Sequence, residues 1–182
     1  MGRFDDYERV ALQTPNLVLE PLNPAHADEV FPHLQDAALY TYVPQNPPPD
    51  IEHVRARYTR LEHGRSANGR DLWLNWVIKT NAEAAGTVQA TVMPDGTALI
   101  AYERFAPFAH KGIASEGVAA ILAHLKDRLE TKVARALVDT RNEPSIRLLE
   151  RLGFERKRTI KDADNFKGAT SDEYEYELRL AP

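Results

Sequence analysis

Between residues 97 and 130 the spacing of apolar residues changes period, and this change constrains the fold more than any other feature of the chain. TALIAYERF (97–105) reads as a strand. From Gly112 to Glu130 the step becomes helical, with Val118, Ile121, Leu122, Leu125 and Leu129 recurring at three- and four-residue intervals. The connection, FAPFAHKGIASEG, is a turn rich in small residues. A strand therefore hands the chain directly to a long amphipathic helix.

The rest of the chain reads around this unit. LVLEPL (17–22) is a short strand with Leu17 and Leu19 on one face. A helix is expected from Ala25 to about Gln35, capped by Asn23 before Pro24. The stretch from Tyr40 to Asp50 cannot be regular, because its four prolines remove donors and fix φ. Asp50 can cap a second helix that runs to about His63 and ends near Gly64. LWLNWVIK (72–79) and AGTVQATVM (85–93) read as strands joined around Asn81, and Pro94-Asp95-Gly96 turns into the strand at 97. KVARALVDT (132–140) is strand-like, Glu143 to Leu152 is a short helix closed by Gly153, and two last strands, roughly 154–160 and 173–180, flank a polar loop. The first dozen or so residues are polar, an arm or an extra helix over 1–15. This order implies a mixed α/β sheet, not a repeated βαβ winding.

Composition narrows the function. At 182 residues one domain spanning 1–182 is the economical reading. The chain has no cysteine, which removes disulfides, thiolate metal sites and a cysteine acyl-enzyme; no metal is expected. A net charge of −4 argues against nucleic acid as partner. The charged N-terminus MGRFDDYERV is unlike a secretory leader, and no apolar run reaches membrane-span length, so a cytoplasmic protein without membrane attachment is expected.

Two segments carry chemistry. A helix start leaves backbone N–H groups unpaired and bears partial positive charge, so the turn at 105–117 is suited to a pyrophosphate. Gly112 allows close approach, Ala114 and Ser115 leave the first turn open, and His110 and Lys111 can add positive charge. Neither a P-loop nor a G-x-G-x-x-G fingerprint is present. In DTRNEPSIRLLERLGF (139–154), Asn142 can cap a helix whose first turn holds Pro144, and Ser145 shares its edge. Each segment, taken alone, also reads as an ordinary well-formed helix start.

Together the two resemble the GNAT superfamily of acetyltransferases. Its loop Q/R-x-x-G-x-G/A is matched by Ala109-His110-Lys111-Gly112-Ile113-Ala114, followed by Ser115-Glu116. Its later motif N-x-x-S-x-x-L-x-x-x-x-G-F is matched by Asn142, Ser145, Leu148, Gly153 and Phe154. The resemblance covers roughly residues 16 to 180. LVLEPLNPAHADEVFPHL and Ala101-Tyr102 are similar to the branch of RimJ- and RimL-type ribosomal-protein N-terminal acetyltransferases. Two positions depart from the pattern: Ala109 stands where the loop opens on glutamine or arginine, and Leu149 where many relatives place a tyrosine acid.

The resemblance implies a mixed, mostly antiparallel seven-stranded sheet, splayed between its fourth and fifth strands and flanked by helices. It implies acetyl-CoA as donor, held by Phe105, Ala106, His110, Lys111, Gly112, Ile113, Ala114, Ser115, Asn142 and Ser145. The acetyl group would pass directly to a primary amine, a peptide α-amine or a small amine, within a ternary complex. Ser145 is the candidate acid for the departing thiolate and Glu103 the candidate base; Asp139 and the histidines are other candidates. Tyr40, Tyr42 and Pro47 to Pro49, with Trp73 or Trp76, would wall the amine cleft, and Arg55, Arg57, Arg60 and Arg65 lie in the same region. A monomer or homodimer is expected. The alternative is a non-catalytic acyl-CoA-binding sensor or scaffold.

Overall fold

The structure, a computed structural model, describes residue 4 and residues 7–108 and 111–180. In chain order its elements are β1 (Leu12–Gln13), β2 (Val18–Pro21), α1 (Ala27–Leu34), α2 (Ile51–Glu62), β3 (Leu72–Thr80), β4 (Glu83–Val92), β5 (Thr97–Arg104), α3 (Ile113–Leu129), β6 (Val133–Asp139), α4 (Glu143–Arg151), β7 (Glu155–Phe166) and β8 (Ala169–Arg179). The strands form one eight-stranded sheet in the order β1-β2-β3-β4-β5-β6-β8-β7. Every neighbouring pair is antiparallel except β5 and β6. The mixed α/β class is as expected, but the sheet has eight strands, not seven.

The additional strand is β1, inside the segment read as an arm or extra helix. Leu12 and Gln13 pair with Leu19 and Val18, a ladder too short to leave a period in the sequence. Polar contacts fasten the chain before it: the Trp76 indole donates to Val10 O at 2.9 Å, and the Arg9 guanidinium donates to Leu22 O at 2.7 Å. The expected polar loop at 161–172 is also strand. β7 and β8 continue to a tight turn at Lys167 and Gly168, both with positive φ, with irregular register around 156–158 and 160–164. Charged side chains face each other along this hairpin, as in Lys161–Asp172 and Arg158–Glu175, so no apolar alternation marks it.

Helix ends follow local chemistry. Asp50 Oδ1 accepts from His53 N–H at 2.7 Å to cap α2, and Asn23 Oδ1 accepts from Ala25 N–H at 2.9 Å before α1. α3 lies on one face of the sheet, where Gly117 sits against Ile78 and His124 meets the Trp76 ring edge-on. α4 covers the same face further along, with the Tyr176 hydroxyl 3.0 Å from Glu150 Oε1. α1 and α2 cover the opposite face, where His33 stacks on Phe105 at 4.6 Å and Lys79 pairs with Glu29. Leu19, Ile78, Val88, Ile121 and Leu125 are fully buried between these layers, each stabilising the fold by about 1.5–3 kcal/mol.

Candidate active site

The sheet opens in the middle. β5 and β6 pair only from Thr97–Leu99 to Val133–Arg135, and then part. β5 stays bonded to β4 as far as Arg104, and β6 to β8 as far as Asp139. Phe105 N–H continues the β4 side by donating to Ala85 O at 2.9 Å. In an antiparallel ladder successive residues direct their backbone groups to opposite sides. The backbone groups of Tyr102 and Arg104 therefore face the gap, and they have no strand partner there among the described residues.

Two helix starts lie beside this opening, on the face that α3 and α4 cover. Gly112 adopts φ 70° before α3, and a Cβ built on it meets nothing within 4 Å among the described residues. No side chain caps α3 among the described residues, so the N–H groups of Ile113, Ala114 and Ser115 have no intrahelical acceptor. Glu116, one residue on, is turned away: Thr14 and Asn16 donate to its carboxylate, and the Thr14 bond chiefly holds its pKa below the usual glutamate value. The Lys111 ammonium sits 5.5 Å from the centre of the Phe108 ring. His110 and Ala109 lie outside the described residues.

At the second start, Asn142 Oδ1 accepts from Ser145 N–H at 3.3 Å, and Pro144 occupies the first turn of α4. The Tyr102 hydroxyl reaches across from β5 to donate to Ser145 O at 3.4 Å, and burial raises its pKa. The Ser145 hydroxyl forms no hydrogen bond among the described residues. Leu149, at the position of the expected tyrosine acid, is 1 % exposed and belongs to the core. Just before α4, Arg141 donates to Asp139 from its backbone at 2.8 Å and from its guanidinium at 2.9 and 2.6 Å. Those bonds hold Asp139 below the usual carboxylate range.

Strand alternation sends Glu103 to the face of α1 and α2. Its carboxylate accepts from the Thr87 hydroxyl at 3.3 Å. Tyr40 lies near enough for the Glu103 charge to act on it, and burial is the larger cause of its raised pKa. The Tyr40 hydroxyl donates to Leu34 O at 2.9 Å, and the side chain is buried. Tyr42 acts on Arg141, on the β6 side of the gap. The 40–43 segment thus spans from β5 toward β6, and Lys167 at the β7–β8 tip donates to Tyr40 O and, at 3.3 Å, to Val43 O.

Glu103, Tyr40 and Tyr42 are therefore brought to one end of the sheet. Trp73 is not: it pairs with Thr91, in the row of Leu99, where β5 and β6 are still joined. Phe105 is fully buried, its N–H given to Ala85 and its carbonyl accepting from Phe108 N–H at 3.1 Å, while Ala106 is exposed. Four residues at the opening were not singled out from sequence as site residues: Tyr102, Arg104, Lys167 and Glu173. Glu173 is the cross-strand neighbour of Asp139, and burial, then the Asp164 and Asp139 charges, push its carboxyl up. Alternation along β5 was the available signal for the first two. Lys167 and Glu173 fall in the stretch that read as loop or at its edge.

Comparison with known proteins agrees with this geometry. The model of the acetyltransferase (GNAT) domain matches residues 16–155. The chain is 26 % identical over 169 residues to the uncharacterized N-acetyltransferase p20 of Bacillus licheniformis, covering 92 % of this chain and 94 % of that protein. Its fold is similar to that of an acetyl transferase from Salmonella typhimurium that modifies the N-terminal serine of the ribosomal protein L7/L12: TM-score 0.82, 20 % identity, 93 % of this chain and 99 % of that one. It is similar also to the microcin C7 self-immunity acetyltransferase MccE, solved with acetyl-CoA and AMP: TM-score 0.80, 19 % identity, 91 % and 93 % covered. With a family model matched from β2 to the start of β7, on a sheet that opens beside two helix starts, the chain belongs to the GNAT family and is an acetyltransferase.

Proposed function

We propose that the protein moves the acetyl group of acetyl-CoA directly onto a primary amine, with both substrates bound at once. The observation that supports this best is the parting of β5 from β6 beyond Leu99, which exposes backbone donors and acceptors at Tyr102 and Arg104 to an extended arm. The N–H groups of Ile113, Ala114 and Ser115, which have no intrahelical acceptor, suit the pyrophosphate, and among the described residues nothing crowds Gly112. Asn142 keeps its side-chain N–H₂ for the arm while its oxygen caps α4.

The amine enters from the α1/α2 face. Its nitrogen forms a bond to the thioester carbonyl carbon, the carbon–sulfur bond breaks, and the nitrogen loses a proton. Glu103 is the proposed acceptor of that proton, directly or through water, and the Ser145 hydroxyl the proposed donor to the sulfur. An α-amine, with a pKa of about 8, retains a useful neutral fraction at neutral pH, so Glu103 need not deprotonate it before attack and takes only the proton lost as the carbon–nitrogen bond forms. Tyr40 and Tyr42 wall the amine site; Trp73 is too far along β3 to share in it unless a long acceptor extends there.

For the acceptor we favour a peptide α-amine of the kind RimJ- and RimL-type enzymes take. The likeness to the Salmonella typhimurium enzyme supports the branch through its fold, and LVLEPLNPAHADEVFPHL through its sequence. No helix among the described residues is long and apolar enough to cross a membrane, in keeping with a cytoplasmic acceptor. The test is acetyl transfer to a panel of peptides with free α-amines and of small amines. Turnover on small amines alone would refute the peptide reading.

A further inference from the structure

The last residue of β5 carries a polar atom that nothing in the described protein answers. Arg104 Nη1 is shielded from solvent and has no hydrogen-bond partner among the described residues. Arginines elsewhere on the sheet and its connections are engaged: Arg135 with Glu177, Arg141 with Asp139, Arg158 with Glu175. Arg104 pairs across the sheet with Gly86, which brings no side chain to its row, and alternation puts it on the α3 face with Tyr102. A guanidinium is always charged and can only donate, so a buried N–H without an acceptor is a costly arrangement in the free protein.

We propose that Arg104 is a donor-binding residue, whose guanidinium gives this N–H to an oxygen of CoA lying in the β5–β6 gap. This rests on the acetyl-CoA reading above. The oxygen belongs to the pyrophosphate or to an amide carbonyl of the arm; both are acceptors of the required kind. Arg104 borders the gap with its own backbone and stands at the head of the connection to α3. It there supplies the cation that the loop lacks at Ala109. An acceptor amine does not satisfy it, since an amine cation carries the same charge and enters from the other face.

Arg104→Met separates this role from a structural one. Calorimetry would give Kd for CoA and for pantetheine, which lacks the pyrophosphate, and thermal melting would give ligand-free stability. Without ligand the variant is expected to melt at or above the wild-type temperature, because an apolar chain replaces an unanswered N–H. Its affinity for CoA should fall about 10- to 100-fold. A loss seen with CoA alone assigns the oxygen to the pyrophosphate, and a loss with both probes assigns it to the arm. Arg104→Leu is read the same way should the methionine variant not fold. CoA binding within twofold of wild type, or a lower melting temperature without ligand, overturns the inference. If wild type itself does not bind CoA, the acetyl-CoA reading fails first and this one with it.

Discussion

Gly86→Ala is the substitution whose cost the structure determines most sharply. Gly86 sits in β4 opposite Arg104, at the far end of the stretch along which β5 borders the gap. A Cβ at this position would lie 2.2 Å from Glu103 O and 3.2 Å from Arg104 Cα. Contact with the carbonyl oxygen is about 1 Å too short, and that oxygen is backbone, so β4 and β5 must separate. Overpacking of this kind costs about 1–3 kcal/mol, and a backbone clash belongs at the upper end; the strand entropy recovered by alanine offsets roughly 0.5–1 kcal/mol. A net loss of about 2–2.5 kcal/mol corresponds to a fall in Tm of roughly 4–10 °C for a chain of this size. Gly117→Ala is the control. Its Cβ would meet Ile78 Cδ1 at 2.9 Å, the far end of a flexible side chain, and alanine gains about 1 kcal/mol in a helix interior. Thermal and urea unfolding of both variants would check this. A Gly86→Ala protein melting within a degree or two of wild type, or a greater loss in Gly117→Ala, would refute the close-approach account.

Other substitutions probe the site. Ser145→Ala should lower kcat on the order of tenfold with cofactor affinity nearly unchanged, whereas Asn142→Ala should weaken CoA binding and cost about 1 kcal/mol as a lost cap; steady-state kinetics and melting distinguish them. Lys167→Ala, which releases the carbonyls of Tyr40 and Val43, and Tyr42→Ala should each raise KM for the amine while KM for acetyl-CoA stays constant. For Asp139 the folded pKa lies below the ordinary 3.8, so its stabilising pair with Arg141 is complete above that pH and is lost as pH falls through the folded value. Asp139→Asn should therefore melt well below wild type at neutral pH, and the difference should shrink as pH is lowered past about 4.

Much of this architecture was legible in the sequence because single residues dictate it. Asp50 and Asn142 each cap the helix start expected of them, Asn23 caps a short turn at Pro24–His26 that leads into α1, and the turn at Asn81 and Ala82 falls between β3 and β4, both residues with positive φ. The change of period at Gly112 located the start of α3, and the resemblance to the acetyltransferase family placed the splay. What was illegible depends on long-range contacts. β1 exists because Leu12 and Gln13 find β2, and the β7–β8 extension is a charged hairpin in which cross-strand pairs replace apolar alternation. The end of the opening proposed for the amine was half legible: Tyr40 lies within reach of the Glu103 charge and Tyr42 within reach of Arg141, but Lys167, more than a hundred positions away, could be placed beside Tyr40 only once the hairpin was in place. Trp73, an aromatic on a strand, gave no sign of which end of the sheet it occupies.

The central claim is transfer, and thiol release tests it most directly. The chain contains no cysteine, so every thiol that appears comes from CoA. With acetyl-CoA and a panel of peptides and small amines, the account predicts free thiol that appears only with an accepted amine, in equal amount to acetylated amine, with initial-rate lines that converge as for a ternary complex. CoA binding with no amine-dependent thiol across the panel would contradict it and leave a non-catalytic acyl-CoA sensor.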